Sequence, residues 1–390
     1  MTATFADAPT AIAAPRGAVI ALALGAFAIG TGEFMISGLL QNVASDLDVS
    51  IPTAGLLIAG YAGGVALGGP PMSLVTGRLR RKQQILLLLA IFIAGNVICA
   101  LAHSYWVLFT GRVVTSFCHG AFYGAASVAA ANLVSPAYRA RALALVSAGV
   151  MVANVVGVPL GTAIGQATGW RMAFWGVAGL GGFAGLTLAL VLPTRFAGGR
   201  FDLIAELRAV LRPQVLAGLA LSLCFTIGWF TSFSYVTPLL TSVSGATPDL
   251  IPLLLMAFGV GATAGMLIGG RLADWRLRTA MTTAFAAQLA IYAVMILLSQ
   301  HLVAMWAVLF VLGVACTMAV APLRMIVLNG AGDAPMLAST MTSSAFNLGV
   351  AIGATVGAAL TSAGIGYALL PVAGMVSAAV GLVFAHRLAK

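Results

Sequence analysis

Two charged residues of opposite sign lie well inside long apolar stretches of this chain. Glu33 falls within the stretch 17–42, and Arg112 falls within 105–133. An ionised side chain in hydrocarbon costs about 2.5–3.5 kcal/mol on insertion scales, so such residues are rare and usually functional. A carboxyl group can exchange a proton, whereas a guanidinium stays charged. The pair therefore predicts a membrane protein that moves a solute, with a proton as the coupled ion.

The two charges are predicted to lie at the same depth. Glu33 is a few residues past the middle of an outward-running stretch, and Arg112 is a few residues before the middle of an inward-running one. With a rise of about 1.5 Å per residue, both fall about 5 Å to the extracellular side of the centre. An ion pair is feasible, directly or through water or substrate. Burial disfavours the charged carboxylate while Arg112 favours it, so the protonation of Glu33 is finely balanced.

The stretches around these charges identify a polytopic helical membrane protein. The chain has 390 residues, 61% apolar and 7% charged, with a mean hydropathy of +1.07. A soluble domain carries about 25% charged residues, so a single water-surrounded core is excluded. Twelve apolar runs have the length of about 20 residues that a membrane helix needs. They are continuous, whereas the strands of a membrane barrel alternate at every second residue.

The net charge of +10 follows from topology. Nearly all basic residues fall on the side that holds Arg16. The opposite side carries few charges, namely Arg171, Asp46, Asp48 and Asp249. This asymmetry obeys the positive-inside rule. We therefore expect a multi-pass membrane protein with both termini in the cytoplasm, and no nucleic-acid partner.

A polar segment divides the chain nearly in half. The predicted division is a cytoplasmic tail over 1–16, an N-terminal six-helix bundle over 17–193, a linker over 194–212, a C-terminal six-helix bundle over 213–386 and a cytoplasmic tail over 387–390. The second part of the linker, from 201 to 212, has apolar residues at helical spacing. It predicts an amphipathic interfacial helix whose basic residues face lipid headgroups. These residues are Arg200, Arg208 and Arg212.

The two halves are related by an offset of 197 residues. Gly64 and Gly68 precede the first basic loop, and Gly261 and Gly265 precede its counterpart. Six-helix units repeated about an axis along the membrane normal are a transporter design, with the binding site between the halves. We predict an all-α membrane protein with twelve transmembrane helices in two pseudo-symmetric six-helix bundles around a central cavity.

The repeat bears on the alternative that Glu33 and Arg112 form a static pair ordering two helices. At the repeat offset, Glu33 corresponds to Phe230. An architectural pair would be expected to recur in both halves. We therefore favour the proton-coupling role for both residues.

Loop and helix motifs point to a known family. The second-half loop reads Gly270-Arg-Leu-Ala-Asp274-Trp-Arg-Leu-Arg278, and its first-half copy has Gly77 in place of the acid and keeps Arg78. Other motifs are Leu108-Phe-Thr-Gly-Arg112, Gly149 with Gly157-Val-Pro159-Leu-Gly161 and Gly165, Thr31-Gly-Glu33, His119-Gly120, Gly169-Trp170-Arg171 and Phe346-Asn347-Leu348-Gly349. Together they resemble the major facilitator superfamily, specifically its twelve-helix drug:proton antiporters and the branch of chloramphenicol-resistance and arabinose-efflux proteins.

The resemblance implies a location in the bacterial inner membrane and alternating access, with export of a small amphipathic compound such as an amphenicol-like drug and proton exchange at Glu33 near Arg112. Gating roles are implied for Gly157, Pro159 and Gly161 of the fifth helix, and for Arg78, Asp274 and Arg278 of the loops. Because Gly77 stands where the family has an acid, either the outward-facing state is held less firmly, or Asp333 or another group substitutes for that acid. Efflux of sugars or nucleosides fits the residues equally well. A channel or a membrane enzyme fits less well, because neither a filter-like loop nor a catalytic cluster is seen.

Aromatic and polar residues within the spans are candidates for binding the substrate. The set is Tyr61, Tyr123, Asn154, Trp229, Phe230, Phe233 and Asn347, with Asn96 and Gln288 as further candidates. Trp229 and Phe233 are four residues apart and share a helix face. They could line a cavity or face lipid, and each polar residue could instead join two helices. His119 is interpreted as a packing histidine in preference to a proton relay, because no carboxylate is identified beside it.

No cofactor or metal is expected. The four cysteines, Cys99, Cys118, Cys224 and Cys316, lack metal-ligand spacing, and no phosphate-binding G-x-x-x-x-G-K-[ST] motif occurs. We expect a monomer that is not an enzyme, and whose partners are a small-molecule substrate, protons and the lipid bilayer.

Overall fold

The computed structural model describes residues 16–135, 138–193, 203–332 and 335–388, and the regular structure in these ranges is entirely helical. Twelve helices are long and apolar enough to cross a membrane. In chain order these spans are Gly17–Gly38, Ile51–Thr76, Arg81–Ala100, Tyr105–Asn132, Arg141–Thr168, Trp170–Val191, Pro213–Ser242, Pro248–Trp275, Leu277–Leu298, Leu302–Ala331, Thr340–Ser362 and Tyr367–His386. The predicted all-α, twelve-helix membrane fold is confirmed.

Two short helices lie outside the spans. Leu40–Asp46 follows the first span, and Leu203–Val210 occupies the linker. Arg212 donates through Nη1 to the carbonyls of Gly330 at 3.1 Å and Ala331 at 2.9 Å. These carbonyls belong to the last turn of the tenth span, which leaves them without helical partners. The expectation that Arg212 faces lipid headgroups is therefore wrong, because its guanidinium caps a helix. Arg200 and Asp333 lie outside the described residues.

Prolines interrupt the seventh and tenth spans. The segments are Pro213–Phe233 and Val236–Ser242 in the seventh, and Leu302–Thr317 and Val320–Ala331 in the tenth. Pro238 follows Ser234 by four residues, and Pro322 follows Met318 by four. A proline has no N–H for the carbonyl four residues earlier and its ring clashes with that carbonyl. Both interruptions therefore have a local cause in the sequence.

The fifth span also departs from α-helical geometry, but it continues through a π-helical turn without a break. A π-helical turn runs over Ala153–Gly157, and the N–H of Val158 reaches back to the carbonyl of Ala153, five residues earlier. Pro159 follows at once and lacks an N–H of its own. Single π turns are frequent at functional sites. This one lies where the fifth span meets Gly259 of the eighth.

The glycines of the fifth span face the first span. A Cβ added at Gly157 would lie 2.1 Å from Oγ1 of Thr31, and one added at Gly161 would lie 3.3 Å from the sulfur of Met35. These close approaches join the fifth span to the helix that carries Glu33. The row of glycines thus packs within the N-terminal half, and not across the boundary between the halves.

The internal repeat is visible in the packing of the helices. Gly68 of the second span lies against Phe117 of the fourth, and Gly265 of the eighth lies against Val314 of the tenth. Both members of the second pair follow those of the first by 197 residues. The offset read from the sequence therefore relates contacts as well as residues.

The two halves are joined near the face that carries few basic residues, called the opposite face below. The face with the loop from Arg78 to Lys82 is called the basic face. At the opposite face Gln41 Nε2 donates to Thr241 Oγ1 at 2.6 Å. Thr237 Oγ1 donates to the carbonyl of Ser37 at 2.7 Å. These bonds hold the end of the first span and the short helix after it to the end of the seventh span.

A polar contact at the opposite face ties three segments of the N-terminal half together. Arg171 donates through Nη1 to Asp46 Oδ2 at 2.7 Å and through Nε to the carbonyl of Ala102 at 2.9 Å. Trp170 Nε1 donates to the same carboxylate oxygen at 3.1 Å. The hydrogen bond from Arg171 lowers the pKa of Asp46. The sixth span is thereby anchored to the short helix Leu40–Asp46 and to the loop between the third and fourth spans.

The Asp46 contact predicts a pH-dependent contribution to stability. An acid whose pKa is lowered by folding stabilises the fold above its ordinary pKa of about 3.9, and this contribution is lost as the pH falls through the lowered value. Because the Asp46 side chain is 44% exposed, Asp46→Asn should cost only about 0.2–1 kcal/mol at neutral pH. Thermal unfolding in detergent should show this difference vanishing in strong acid. Asp249→Asn, at an exposed position in the first turn of the eighth span, is the control. A difference that grows in acid would contradict the assignment.

The glycine row predicts a contrast between two Gly→Ala variants. Gly157→Ala should destabilise the protein, because the new methyl group collides with Thr31 Oγ1. Gly176 has no atom within 4 Å of an added Cβ, so Gly176→Ala should be neutral or stabilising by up to about 1 kcal/mol through helix propensity. Apparent melting temperatures in detergent measure both. Equal effects of the two changes would show that the close approach is unimportant.

Candidate functional site

Main-chain carbonyls of the first span hold the guanidinium of Arg112. Nη1 donates to the carbonyl of Gly32 at 2.6 Å, and Nη2 donates to the carbonyl of Glu33 at 3.0 Å. The guanidinium carbon lies 4.1 Å from the centre of the Tyr61 ring. Arg112 is only 1% exposed. One buried cation therefore ties the fourth span to the first and packs on the second.

The carboxylate of Glu33 does not pair with this cation. Its Oε2 lies 3.8 Å from Nδ1 of His119, which is too far for a hydrogen bond. No donor among the described residues forms a hydrogen bond with the carboxylate. Glu33 is 9% exposed. The sequence left open an ion pair formed directly or through water or substrate. The direct pair is not formed, because both terminal nitrogens of Arg112 donate to backbone oxygens.

The directions of the first and fourth spans explain why the side chains of Glu33 and Arg112 point away from each other. Each Cα–Cβ bond leans toward the N-terminus of its helix. The first span begins at the basic face, so Glu33 leans toward that face. The fourth span begins at the opposite face, so Arg112 leans the other way. His119, two turns from Arg112 toward the basic face, is therefore the group that the Glu33 side chain meets. The interpretation of His119 as a histidine without a neighbouring carboxylate is wrong.

His119 also contacts two tyrosines. Its Nδ1 is 3.0 Å from the hydroxyl of Tyr61, and its ring packs edge-on at 4.9 Å against the ring of Tyr123. Tyr123 donates its hydroxyl to the carbonyl of Ala26 at 3.0 Å. A carboxyl, an imidazole and two phenols thus form one connected group in the N-terminal half. All four can donate or accept protons.

Beside this group lies a cluster of aromatic residues from both halves. Phe34, next to Glu33 in the chain, stacks on Phe230 with ring centres 6.0 Å apart. The Phe233 and Phe258 rings are 4.3 Å apart. A cavity of about 20 Å³, space for about one water molecule, is lined by Phe34, Asn154, Val158, Trp229, Phe233, Leu255, Phe258 and Ala262. Trp229 and Phe233 are buried, so the alternative in which they face lipid is wrong.

Buried polar atoms near this cluster lack partners. Trp229 Nε1 and Asn347 Oδ1 make no hydrogen bond within the described residues. Asn347 uses only its Nδ2, which donates to the carbonyl of Ser343 at 3.0 Å. An unsatisfied buried group costs about 1–3 kcal/mol. A molecule that entered the cluster could recover this energy.

Two of the polar candidates lie elsewhere. Asn96 donates to the carbonyl of Phe92 in its own helix, and Gln288 donates to the carbonyl of Phe225 in the seventh span. Both are 0% exposed and neither lines the aromatic cavity. Their assignment to the cavity is wrong, because their amides bond to main-chain carbonyls within and between helices.

The basic-face loops differ between the two halves. Asp274 and Arg278 are exposed, and Asp274 makes no ion pair or hydrogen bond within the described residues. In the first half Arg81 Nη1 donates to Gln84 Oε1 at 2.6 Å, and Gln84 Nε2 donates to Thr76 Oγ1 at 3.0 Å. The half that lacks the acid at Gly77 therefore has hydrogen bonds from Arg81 through Gln84 to Thr76 at its loop, without a carboxylate. Arg78 is exposed.

The family model of the Major Facilitator Superfamily matches residues 22–354. The chain belongs to the major facilitator superfamily. It is 39% identical over 372 residues to the Inner membrane transport protein YdhP of Escherichia coli (strain K12), covering 95% of this chain and 96% of the relative. It is 32% identical over 375 residues to a Probable sugar efflux transporter of Helicobacter pylori (strain G27), covering 93% and 92%.

Solved structures share the same fold. A D-xylose-proton symporter matches with a TM-score of 0.75 at 14% identity, covering 95% of this chain and 98% of that one. A bacterial homolog of the human lysosomal transporter Spinster matches with a TM-score of 0.71 at 18% identity, covering 96% and 95%. The protein is thus a multi-pass membrane transporter with the major facilitator fold.

The geometry of Arg112 predicts that lysine cannot replace it. A lysine ammonium cannot reproduce the paired contacts of a planar guanidinium. Arg112→Lys should lose at least one charge-assisted hydrogen bond, worth about 1.5–3 kcal/mol. The melting temperature in detergent should fall accordingly. Arg171→Lys at the half-exposed contact with Asp46 is the matched control and should fall less. A stability equal to that of the wild type in Arg112→Lys would contradict the assignment.

Proposed function

We propose that this transporter exports a small amphipathic compound from the cytoplasm in exchange for protons, by alternating access, with Glu33 as the proton-exchanging group. The carboxyl group of Glu33 carries this proposal. It is buried in a membrane span, receives no hydrogen bond from the described residues, and lies 3.8 Å from an imidazole nitrogen. A structural acid would be expected to have its oxygens satisfied.

Burial of the Glu33 carboxyl group, together with the entry of water or substrate, would couple proton release to transport. A carboxylate without hydrogen bonds is costly in a dry site, so the proton stays bound while the site is closed. Entry of water or of a polar substrate lowers that cost and lets the proton leave. Exchange then follows from the requirement that Glu33 be neutral or solvated at each stage of the cycle.

His119 and Tyr61 extend the proton site beyond the acid. The Tyr61 hydroxyl and the Glu33 carboxylate both face Nδ1 of His119. Nδ1 of the neutral imidazole can accept a proton from the Glu33 carboxyl group and return it. Arg112 acts through position, since it fixes the backbone that carries Glu33. Tyr61 is accordingly assigned to proton transfer in place of substrate binding.

The substrate site is proposed at the aromatic cluster between the halves. Trp229, Phe230 and Phe233 would supply apolar area, and Asn154, Asn347 and the Trp229 indole would orient polar groups. Tyr123 borders the same region through its contact with His119. The alternative substrate class is a sugar, which is favoured by the name of the relative from Helicobacter pylori. A nucleoside fits the same groups.

Orientation and gating complete the proposal. The basic face is placed in the cytoplasm by the positive-inside rule. Asp274, with Arg278 and Arg78, would latch this face when the halves close on it. Gly157, Pro159 and Gly161 would let the fifth span shift against the first. The protein is proposed to act as a monomer.

Replacing Glu33 tests the coupling. Glu33→Gln keeps the shape of the side chain but cannot ionise, so it should still bind substrate while gradient-driven efflux is lost. The assay is efflux from inverted membrane vesicles with a pH gradient, using compounds selected from a panel of labelled sugars and amphenicols. Asp249→Asn, which removes an exposed acid at the start of the eighth span, is the control and should transport normally. Efflux by Glu33→Gln that still follows the pH gradient would refute the coupling role.

A further inference from the structure

Besides Glu33 and Arg112, Arg324 also lies well inside a span, and it takes no part in the proposed proton site. Arg324 is seven residues before the end of the tenth span at Ala331. With a rise of about 1.5 Å per residue it lies about 10 Å inside the basic-face end of that helix. The sequence pattern places it among the basic loop residues, which hides its depth. Its role is open, because the proposed exchange at Glu33 does not use it.

The side chain of Arg324 faces the space between the two halves. It is close enough to Tyr123, on the fourth span, for the two groups to interact electrostatically. Tyr123 belongs to the N-terminal half and Arg324 to the C-terminal half. A side chain directed to lipid would not approach a residue of the other half that is itself partly buried.

Arg324 is open to solvent although protein surrounds it. Its side chain is exposed, while its neighbours Leu323 and Val327 are buried against the seventh and ninth spans. A residue that is exposed within a span and faces the opposite half has the surroundings of a residue that lines a water-filled cavity. Within the described part of the chain Arg324 makes no hydrogen bond, ion pair or ring contact. Its donors are available to a ligand.

The charge balance of this region favours an anion. The two terminal nitrogens of Arg112 donate to carbonyls of the first span, and Glu33 leans toward His119 and not toward the tenth span. Arg324 therefore remains as a fixed positive charge without a counter-ion among the described residues. When the halves close on the basic face, a lone guanidinium would be removed from water at a high cost. A ligand that carries its own negative charge removes that cost.

We propose that Arg324 forms an anion-binding subsite in the transport cavity, so that the exported compounds include organic acids whose carboxylate or phosphate pairs with its guanidinium. This inference rests on the proposed export function and adds the charge of the substrate. The apolar part of such a compound would lie toward the aromatic cluster. A guanidinium suits this task because it can bind carboxylate and phosphate oxygens in a bidentate manner.

Matched acid and neutral probes test the subsite. The probes are 3-phenylpropanoate against 3-phenylpropanamide, and glucuronate and glucose 6-phosphate against glucose. Binding to the purified full-length protein in detergent is measured by calorimetry. The wild type should bind at least one acid about tenfold or more tighter than its neutral partner, as expected for a charge-assisted hydrogen bond. Arg324→Gln should lose this preference, and Arg324→Lys should retain part of it.

Control variants separate this role from general effects. Arg208→Gln removes an exposed basic residue of the linker helix, outside the cavity and the proposed latch, and should keep the preference for acids. Arg324→Gln should also leak protons through vesicles without substrate, because the empty cavity closes more readily once the charge is gone. A wild type without any preference for acids, whether it binds both members of each pair equally or neither, overturns the proposal. So does an acid preference that survives in Arg324→Gln.

Parallel measurements on Glu33→Gln distinguish the two proposals. If wild-type efflux follows the pH gradient and is lost in Glu33→Gln, but acids are not preferred, only the Arg324 subsite fails. If acids are preferred through Arg324 but efflux ignores the pH gradient, the proton exchange fails and the subsite stands.

Discussion

A guanidinium inside a bilayer needs acceptors within the protein, and two backbone carbonyls of the first span accept hydrogen bonds from both terminal nitrogens of Arg112. Its Nε has no partner among the described residues. Arg112 donates to the carbonyls of Gly32 and Glu33 and packs on the ring of Tyr61. Three spans of the N-terminal half are thereby fixed relative to one another. The same arrangement leaves the Glu33 carboxyl group without a cation to neutralise it, so the acid is free to change its protonation.

The two halves of the molecule contribute different chemistry to the centre. The N-terminal half holds Glu33, Arg112 and His119, and the C-terminal half contributes the aromatic side chains of the seventh span. They meet where Phe34 stacks on Phe230. Phe230 occupies the position that corresponds to Glu33 in the repeat. In the proposed mechanism the two halves therefore have different tasks, with proton exchange in one half and an apolar contact surface in the other.

Much of the architecture could be predicted from the sequence because the bilayer limits what a chain can do. Length and hydropathy fixed the twelve spans, and the 197-residue offset located equivalent contacts such as those of Gly68 and Gly265. The intramembrane charges stood out because they are costly. Glycine spacing correctly placed one close-packed face on the fifth span. These features depend on local composition and on helical periodicity, which the sequence shows directly.

Partners between spans were harder to predict. Depth alone suggested a Glu33–Arg112 pair, whereas the lean of each side chain toward its own N-terminus separates the two and brings Glu33 to His119. This signal was present in the sequence once the direction of each helix was known. The capping of the tenth span by Arg212 and the inward position of Arg324 depend on tertiary packing. No sequence pattern distinguished these arginines from the neighbouring loop cations.

The central claim is that the Glu33 carboxyl group takes up and releases a proton within the membrane. Infrared difference spectroscopy of the reconstituted protein, recorded as the pH is changed, observes protonated carboxyl groups directly. The account predicts a carboxyl band from a buried acid that appears and disappears with pH in the wild type and is absent from Glu33→Gln. An identical set of titrating bands in both proteins would contradict it.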